Sequence, residues 1–376
     1  MNAILALLWG DPPAAAALAD RLGEAEWRTI DRQAGQHRLR PLLHRRAGAG
    51  GWNAPAALIE EWQASYQRSA LRALGQKAAL ARIGAALAGG GLSAAVLKGG
   101  VLVWSDGFDP ALRPMRDLDL LVRPETAEAA AAALRQIGFT GGALPQAKGA
   151  KHLEPMVSGR VAVELHLHLF DSADEQAAAR ESQFIARAWQ RAEPGTVPGL
   201  LELAPTDTLL HLILHAVIDH QFNNGPLLLG DMQALVGAGR IDWPLFWQEA
   251  AALEATRACQ LALRIGQQVC ALPVDWHGHE PADLSPAELD AALRLMLVDT
   301  GHRSAVGWPG QLLRLAPHRW PAQLAAMLAR RRNRAAGEPG AGGGAGLGAA
   351  IGHAVGAEGR KSIADAVRLA LWLRRG

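Results

Sequence analysis

The stretch Asp117-Leu118-Asp119-Leu120-Leu121-Val122 constrains this chain more than any other. An apolar run of that length, closed by Arg123-Pro124, reads as a strand, and strand alternation turns Asp117 and Asp119 to one face. Two like charges side by side repel, so a fold that keeps them neutralises them with a cation. Paired carboxylates are hard oxygen donors of the kind that hold magnesium, completed by phosphates and water. The alternative is an exposed strand end capped by acids.

The neighbouring segments fit around that strand. Leu92 to Leu97 is a second apolar segment that runs into Lys98-Gly99-Gly100, where glycines let the backbone approach a ligand closely. Thr126 to Ile137 is an alanine-rich helix ended by Gly138, and Met156-Val157 and Val161 to Leu169 flank Ser158-Gly159-Arg160 as a hairpin. In the latter strand Val161, Val163 and Leu165 share one face, and Glu164, His166 and His168 share the other. A carboxylate in mid-strand is costly unless exposed or paired. If this strand lies beside the first, Glu164 becomes the third acid of a cluster. Residues 92 to 170 thus read as a small α/β unit.

The rest of the chain has helical spacing. Leu18, Leu22 and Trp27, then Leu39, Leu42 and Leu43, then Leu58, Ile59 and Trp62 recur at intervals of three and four, and Glu60 to Leu87 reads as one helix stopped by Gly89-Gly90-Gly91. After Ser172 helices return, with a run opened by Pro205 and segments centred on Leu261, Leu293 and Leu324. The expected organisation is an N-terminal helical arm (1–90), the α/β core (91–171), a helical region (172–335), a glycine-rich linker (336–360) and a terminal helix (361–376). The fold class is α+β. His211 and His215 have the i, i+4 spacing of a zinc pair, with a third ligand to be sought in Asp219, His220 or Asp231. Packing beneath the core is the alternative.

Composition excludes several classes. With 49% hydrophobic residues and a net charge of +2, the chain is globular, and it lacks the basic excess of a protein that coats nucleic acid. Its 2 cysteines provide no disulfide framework. The apolar run before Asp11 has no basic residue ahead of it and is a poor signal peptide. The uncharged window Pro339 to Ala357 is too glycine-rich for a membrane helix, so the expected location is cytoplasmic, without a membrane partner.

The strings Val96-Leu97-Lys98-Gly99-Gly100 and Arg113-Pro114-Met115-Arg116-Asp117-Leu118-Asp119, with Val163-Glu164-Leu165-His166, resemble the polymerase-beta-like nucleotidyltransferase superfamily, and within it a bacterial group of nucleotidyltransferase family proteins. The similarity extends over about residues 90 to 240, including His215 and Asp231. It implies a nucleotidyltransferase core that transfers a nucleotidyl group from a nucleoside triphosphate to an acceptor, a small molecule, peptide or protein, with release of pyrophosphate. Asp117, Asp119 and Glu164 are then the magnesium or manganese ligands. Gly99 and Gly100 cradle the triphosphate, and Lys98 and Arg113 contact phosphates. His166, Arg116, His215 and Asp231 support the site or touch substrate. Much of the superfamily has Gly-Ser where this chain has Gly99-Gly100, which leaves room for an inactive binding or scaffold protein on the same fold. Three crowded acids also imply that Asp119→Asn relieves repulsion and leaves stability level or higher.

Overall fold

The computed structural model describes residues 2–105, 107–145, 150–172, 174–299 and 357–374. Its apolar N-terminal run forms α1 (Ala3–Trp9), capped by the Asn2 side chain, and Asp11 caps α2 (Pro12–Ala19). Next come α3 (Glu24–His37) and α4 (Arg40–Gly50), which ends with Gly51 at φ +61°. Helix α5 (Ala56–Gly89) is longer at both ends than its apolar spacing suggested. A buried tryptophan cluster, Trp27, Trp52 and Trp62, ties this arm together, and Trp62 Nε1 donates to Asp31 Oδ1 at 2.9 Å. Arg40 grips the same carboxylate with two bonds of 2.8 Å.

The core begins with β1 (Ala94–Val96), the short helix α6 (Gly99–Leu102) and β2 (Leu118–Val122). It continues through α7 (Ala127–Gln136), β3 (Met156–Ser158) and β4 (Val161–His166). After α8 (Glu175–Arg191), β5 (Glu193–Pro194) and β6 (Leu201–Glu202) complete one sheet of order β3-β4-β2-β1-β6-β5. Strands β2 and β4 run parallel, as do β1 and β6; the other neighbours are antiparallel. The sequence reading placed only helix after Ser172. The two extra strands were missed because two residues carry no period, and only their pairing with β1 and each other makes them strands.

One sheet face makes the core. Leu118, Leu120 and Val122 of β2 and Val163 and Leu165 of β4 join Leu80, Ile83 and Leu87 of α5 and Ala127, Ala131 and Leu134 of α7 in a single buried cluster. Alternation then turns Asp119, Glu164 and His166 to the opposite face.

Beyond the sheet come α9 (Pro205–Leu214), which passes into a π turn at His215–Asp219, then α10 (Leu227–Gly237), α11 (Trp243–Ala252) and α12 (Thr256–Cys270). The chain divides into two compact units. One comprises Met1–Asp219 and Leu227–Glu280, and the other comprises His220–Pro226 and Pro281–Gly376. In the second, α13 (Pro286–Met296) packs on α14 (Ala357–Leu373), and Arg294 holds Asp365 through bonds of 2.8 and 2.7 Å. Helix α14 starts at Ala357, earlier than the Ser362 expected from the sequence. The segment around Leu324, and the expected linker up to residue 356, lie outside the described residues. Among the described residues no helix is long and apolar enough to cross a membrane.

Candidate active site

Parallel pairing of β2 with β4 sets Asp119 opposite Glu164 in the ladder, so both carboxylates emerge side by side on the face away from the core. His166, two residues further along β4, points the same way and is fully buried. Its Nε2 lies 2.8 Å from Asp119 Oδ1 and 3.4 Å from Glu164 Oε2, while Nδ1 lies 3.3 Å from the His168 carbonyl. All of these neighbours can only accept hydrogen bonds from it. Acceptors at both ring nitrogens favour the protonated ring over the neutral one.

Lys98 supplies a second cation. Its Nζ sits 2.7 Å from the same Asp119 Oδ1. The residue stands at φ +54° and ψ −135°, in the left-handed half of the map that favours glycine. Burial alone would raise the Asp119 carboxyl, yet the Lys98 ammonium and the His166 ring override it and hold the group far below the usual carboxylate range. The hydrogen bond from His166 likewise lowers Glu164 against its burial. Burial works to lower His166 itself, but the bonds to Asp119 and Glu164 win and raise it.

Asp117 stands one residue ahead of the strand. It is half-buried, and its carboxyl is raised by burial first and then by repulsion from Asp119 and Glu164. It shares their field, but the donor atoms that gather within 4.8 Å of one another belong to Asp119, Glu164 and His166. Among the described residues that set is the group of three or more able to hold a metal ion, and the His211–His215 pair does not form another. His211 is fully buried with both ring nitrogens unpartnered, and burial holds it neutral by pushing its pKa well down. His215 contacts Asp219 Oδ2 at 3.2 Å, beside the Lys151–Asp219 ion pair at 2.5 Å.

The expected phosphate contacts are partly committed to the protein. Arg113 grips the buried Asp231 of α10 with two bonds, Nε to Oδ1 at 3.0 Å and Nη2 to Oδ2 at 2.8 Å. The Gly100 N–H is given to the Leu97 carbonyl at 3.1 Å. At these two positions a side chain would force its neighbours to shift. A Cβ on Gly99 would stand 2.4 Å from the Arg113 guanidinium carbon, and one on Gly100 would stand 2.6 Å from Val96 Cγ1. Arg116 is exposed at the head of β2.

Residues without a sequence signal complete the surroundings. Arg38 lies in the field of Asp117 and donates to the Pro114 carbonyl at 3.1 Å, and His152 Nε2 lies 3.9 Å from Glu164 Oε2. Arg38 reaches the site from α3's far end and His152 from the loop just before β3, where it bridges to His166, and neither contact has a local pattern that reveals it.

The donor set suits a divalent cation. Carboxylate oxygens from Asp119 and Glu164 match magnesium or manganese, and the imidazole nitrogen of His166 extends the choice toward transition ions. The Lys98 ammonium resting on Asp119 supplies positive charge of the kind that such an ion would bring. No curated protein and no solved structure matches this chain. A family model described as uncharacterised nucleotidyltransferase matches residues 23–270. That match takes in the N-terminal helices from α3 onward, the whole sheet and the helices as far as α12, and the chain belongs to this family of uncharacterised nucleotidyltransferases.

Proposed function

We propose that the chain transfers a nucleotidyl group from a nucleoside triphosphate to an acceptor hydroxyl, and that the Asp119–Glu164–His166 face is where it does so. The observation that carries this reading is the register of β2 and β4, which brings the two carboxylates and the imidazole to one face in a nucleotidyltransferase chain. Asp119, Glu164 and His166 would hold the magnesium or manganese ion, with Asp117 adding charge from the head of β2. When bound, the ion supplies neutralisation of the triphosphate and lowers the pKa of the attacking oxygen.

The protein's own groups do the rest. Lys98 offers a point charge to the phosphates. Arg113 is held by Asp231 and positions the turn that carries Gly99. Glu164, half-buried, would take the acceptor proton as the oxygen attacks the α-phosphorus and pyrophosphate leaves. Before the ion binds, His166 Nε2 fixes both carboxylates, a role it would give up on turning that nitrogen to the ion, while Nδ1 stays on the His168 carbonyl and holds the ring in place.

The test is a screen of the four α-labelled ribonucleoside triphosphates with magnesium or manganese, reading pyrophosphate release and transfer of label to small-molecule, peptide and protein acceptors. Pyrophosphate release that disappears in both Asp119→Asn and Glu164→Gln is the expected result. Triphosphate binding without turnover in any pool would favour a scaffold on the same fold. Turnover that survives both substitutions would move the active site elsewhere.

A further inference from the structure

We propose that Lys98 is a resident counter-cation that a divalent ion must displace from Asp119, so that binding of the metal and release of Lys98 are one exchange. The inference rests on the metal-site reading above and adds the order of events at it. Lys98 Nζ and His166 Nε2 meet at one oxygen, Asp119 Oδ1, at 2.7 and 2.8 Å. The Lys98 side chain is 17% exposed and the Asp119 side chain 7%, so solvent screens the contact weakly. A divalent ion on that carboxylate would stand beside an ammonium already at bonding distance. Like charges so close in a buried site repel strongly, and the ion and Lys98 exclude each other.

The local backbone allows the exchange to be confined to a side chain. The turn is pinned by the Gly100 N–H to the Leu97 carbonyl at 3.1 Å and the Val101 N–H to the Lys98 carbonyl at 3.3 Å. Four methylenes then swing the ammonium off Asp119 while the turn stays in place. At φ +54° glycine would sit with less strain, so what lysine contributes at this position is its ammonium. The destination is supplied by the substrate class, because a triphosphate offers the displaced ammonium a stronger acceptor than solvent does. By linkage, anything that draws Lys98 away raises the affinity for the metal, and the metal raises the affinity for it in return. The triphosphate and the ion therefore assist each other through Lys98, in addition to any direct contact between them.

The exchange is tested by titrating Mn2+ into the full chain, with free Mn2+ read by electron paramagnetic resonance. Wild type is compared with Lys98→Met, which keeps the stem, and with Lys98→Gly, which suits the backbone angle and keeps the protein folded if methionine does not. Without nucleotide, each folded variant is expected to bind Mn2+ about 10-fold or more tightly than wild type, since it lacks the competing charge. A non-hydrolysable triphosphate should then tighten Mn2+ binding more in wild type than in the variants, narrowing the gap. The Lys98 charge also lowers His166, so its loss strengthens the competing His166 proton and opposes the gain; all three proteins are therefore compared at one alkaline pH, where that proton competes least. Equal or weaker Mn2+ binding in the variants would overturn the exchange and leave the metal site standing. Absence of Mn2+ binding from all three proteins would overturn the metal site as well.

Discussion

Arg113 and Asp231 join the segment before β2 to α10, and removal of one partner should be among the most damaging single changes in the sheet unit. The Asp231 side chain is 3% exposed and that of Arg113 is 17%, and two charge-assisted bonds of 3.0 and 2.8 Å connect them. Deleting one member of such a pair leaves an uncompensated buried charge, which costs about 3–5 kcal/mol. Asp119 and Asp117 also attract the Arg113 guanidinium, so Asp231→Ala should fall at the low end, about 3 kcal/mol. Urea unfolding followed by circular dichroism measures the loss as a shift in midpoint at constant slope. The pair itself is a weak source of net stability, so the double variant Arg113→Met/Asp231→Leu should recover much of the loss. Gly99→Ala approaches the same pair from the other side, because its Cβ would meet the guanidinium, and it should disturb the pair too. A loss below about 1 kcal/mol in Asp231→Ala, or a double variant no more stable than the single one, would refute the reasoning.

Asp119→Asn should abolish Mn2+ binding and also lower the melting temperature of the metal-free protein, because Lys98 and His166 both lose their anionic acceptor. This reverses the expectation from three crowded acids alone. Gly100→Ser supplies the hydroxyl usual in the wider superfamily, but its Cβ would collide with Val96 Cγ1 in the core; overpacking of this kind costs about 1–3 kcal/mol and should appear as a lower melting temperature. For Asp219, burial raises the carboxyl but His215 and Lys151 prevail and hold it well below the usual range. Its stabilisation is therefore full above the ordinary carboxylate pKa of about 3.9 and fades as pH falls below it. Urea midpoints measured from pH 6 down to pH 2 should fall less steeply in Asp219→Asn than in wild type; equal slopes would remove Asp219 from the account.

Local chemistry made much of this protein legible in one dimension. The glycines after Leu87 stop α5, with Gly91 at φ +65°. The alternation of Val161, Val163 and Leu165 against Glu164 and His166 separates a core face from a site face, and the Asp-x-Asp string marks the head of β2. These features follow from backbone geometry and side-chain polarity over a few residues, so the sequence alone determines them. What needed the tertiary structure was which charge meets which. His166 joins Asp119 and Glu164 in the close donor set because the parallel register of β2 and β4 lays their strands side by side. Arg113 turned out to be held by Asp231, 118 residues away, and Lys98 turned out to rest on Asp119. A buried charge binds whichever opposite charge the fold carries nearest to it, and that distance is set by the packing of the whole unit and is absent from any local pattern.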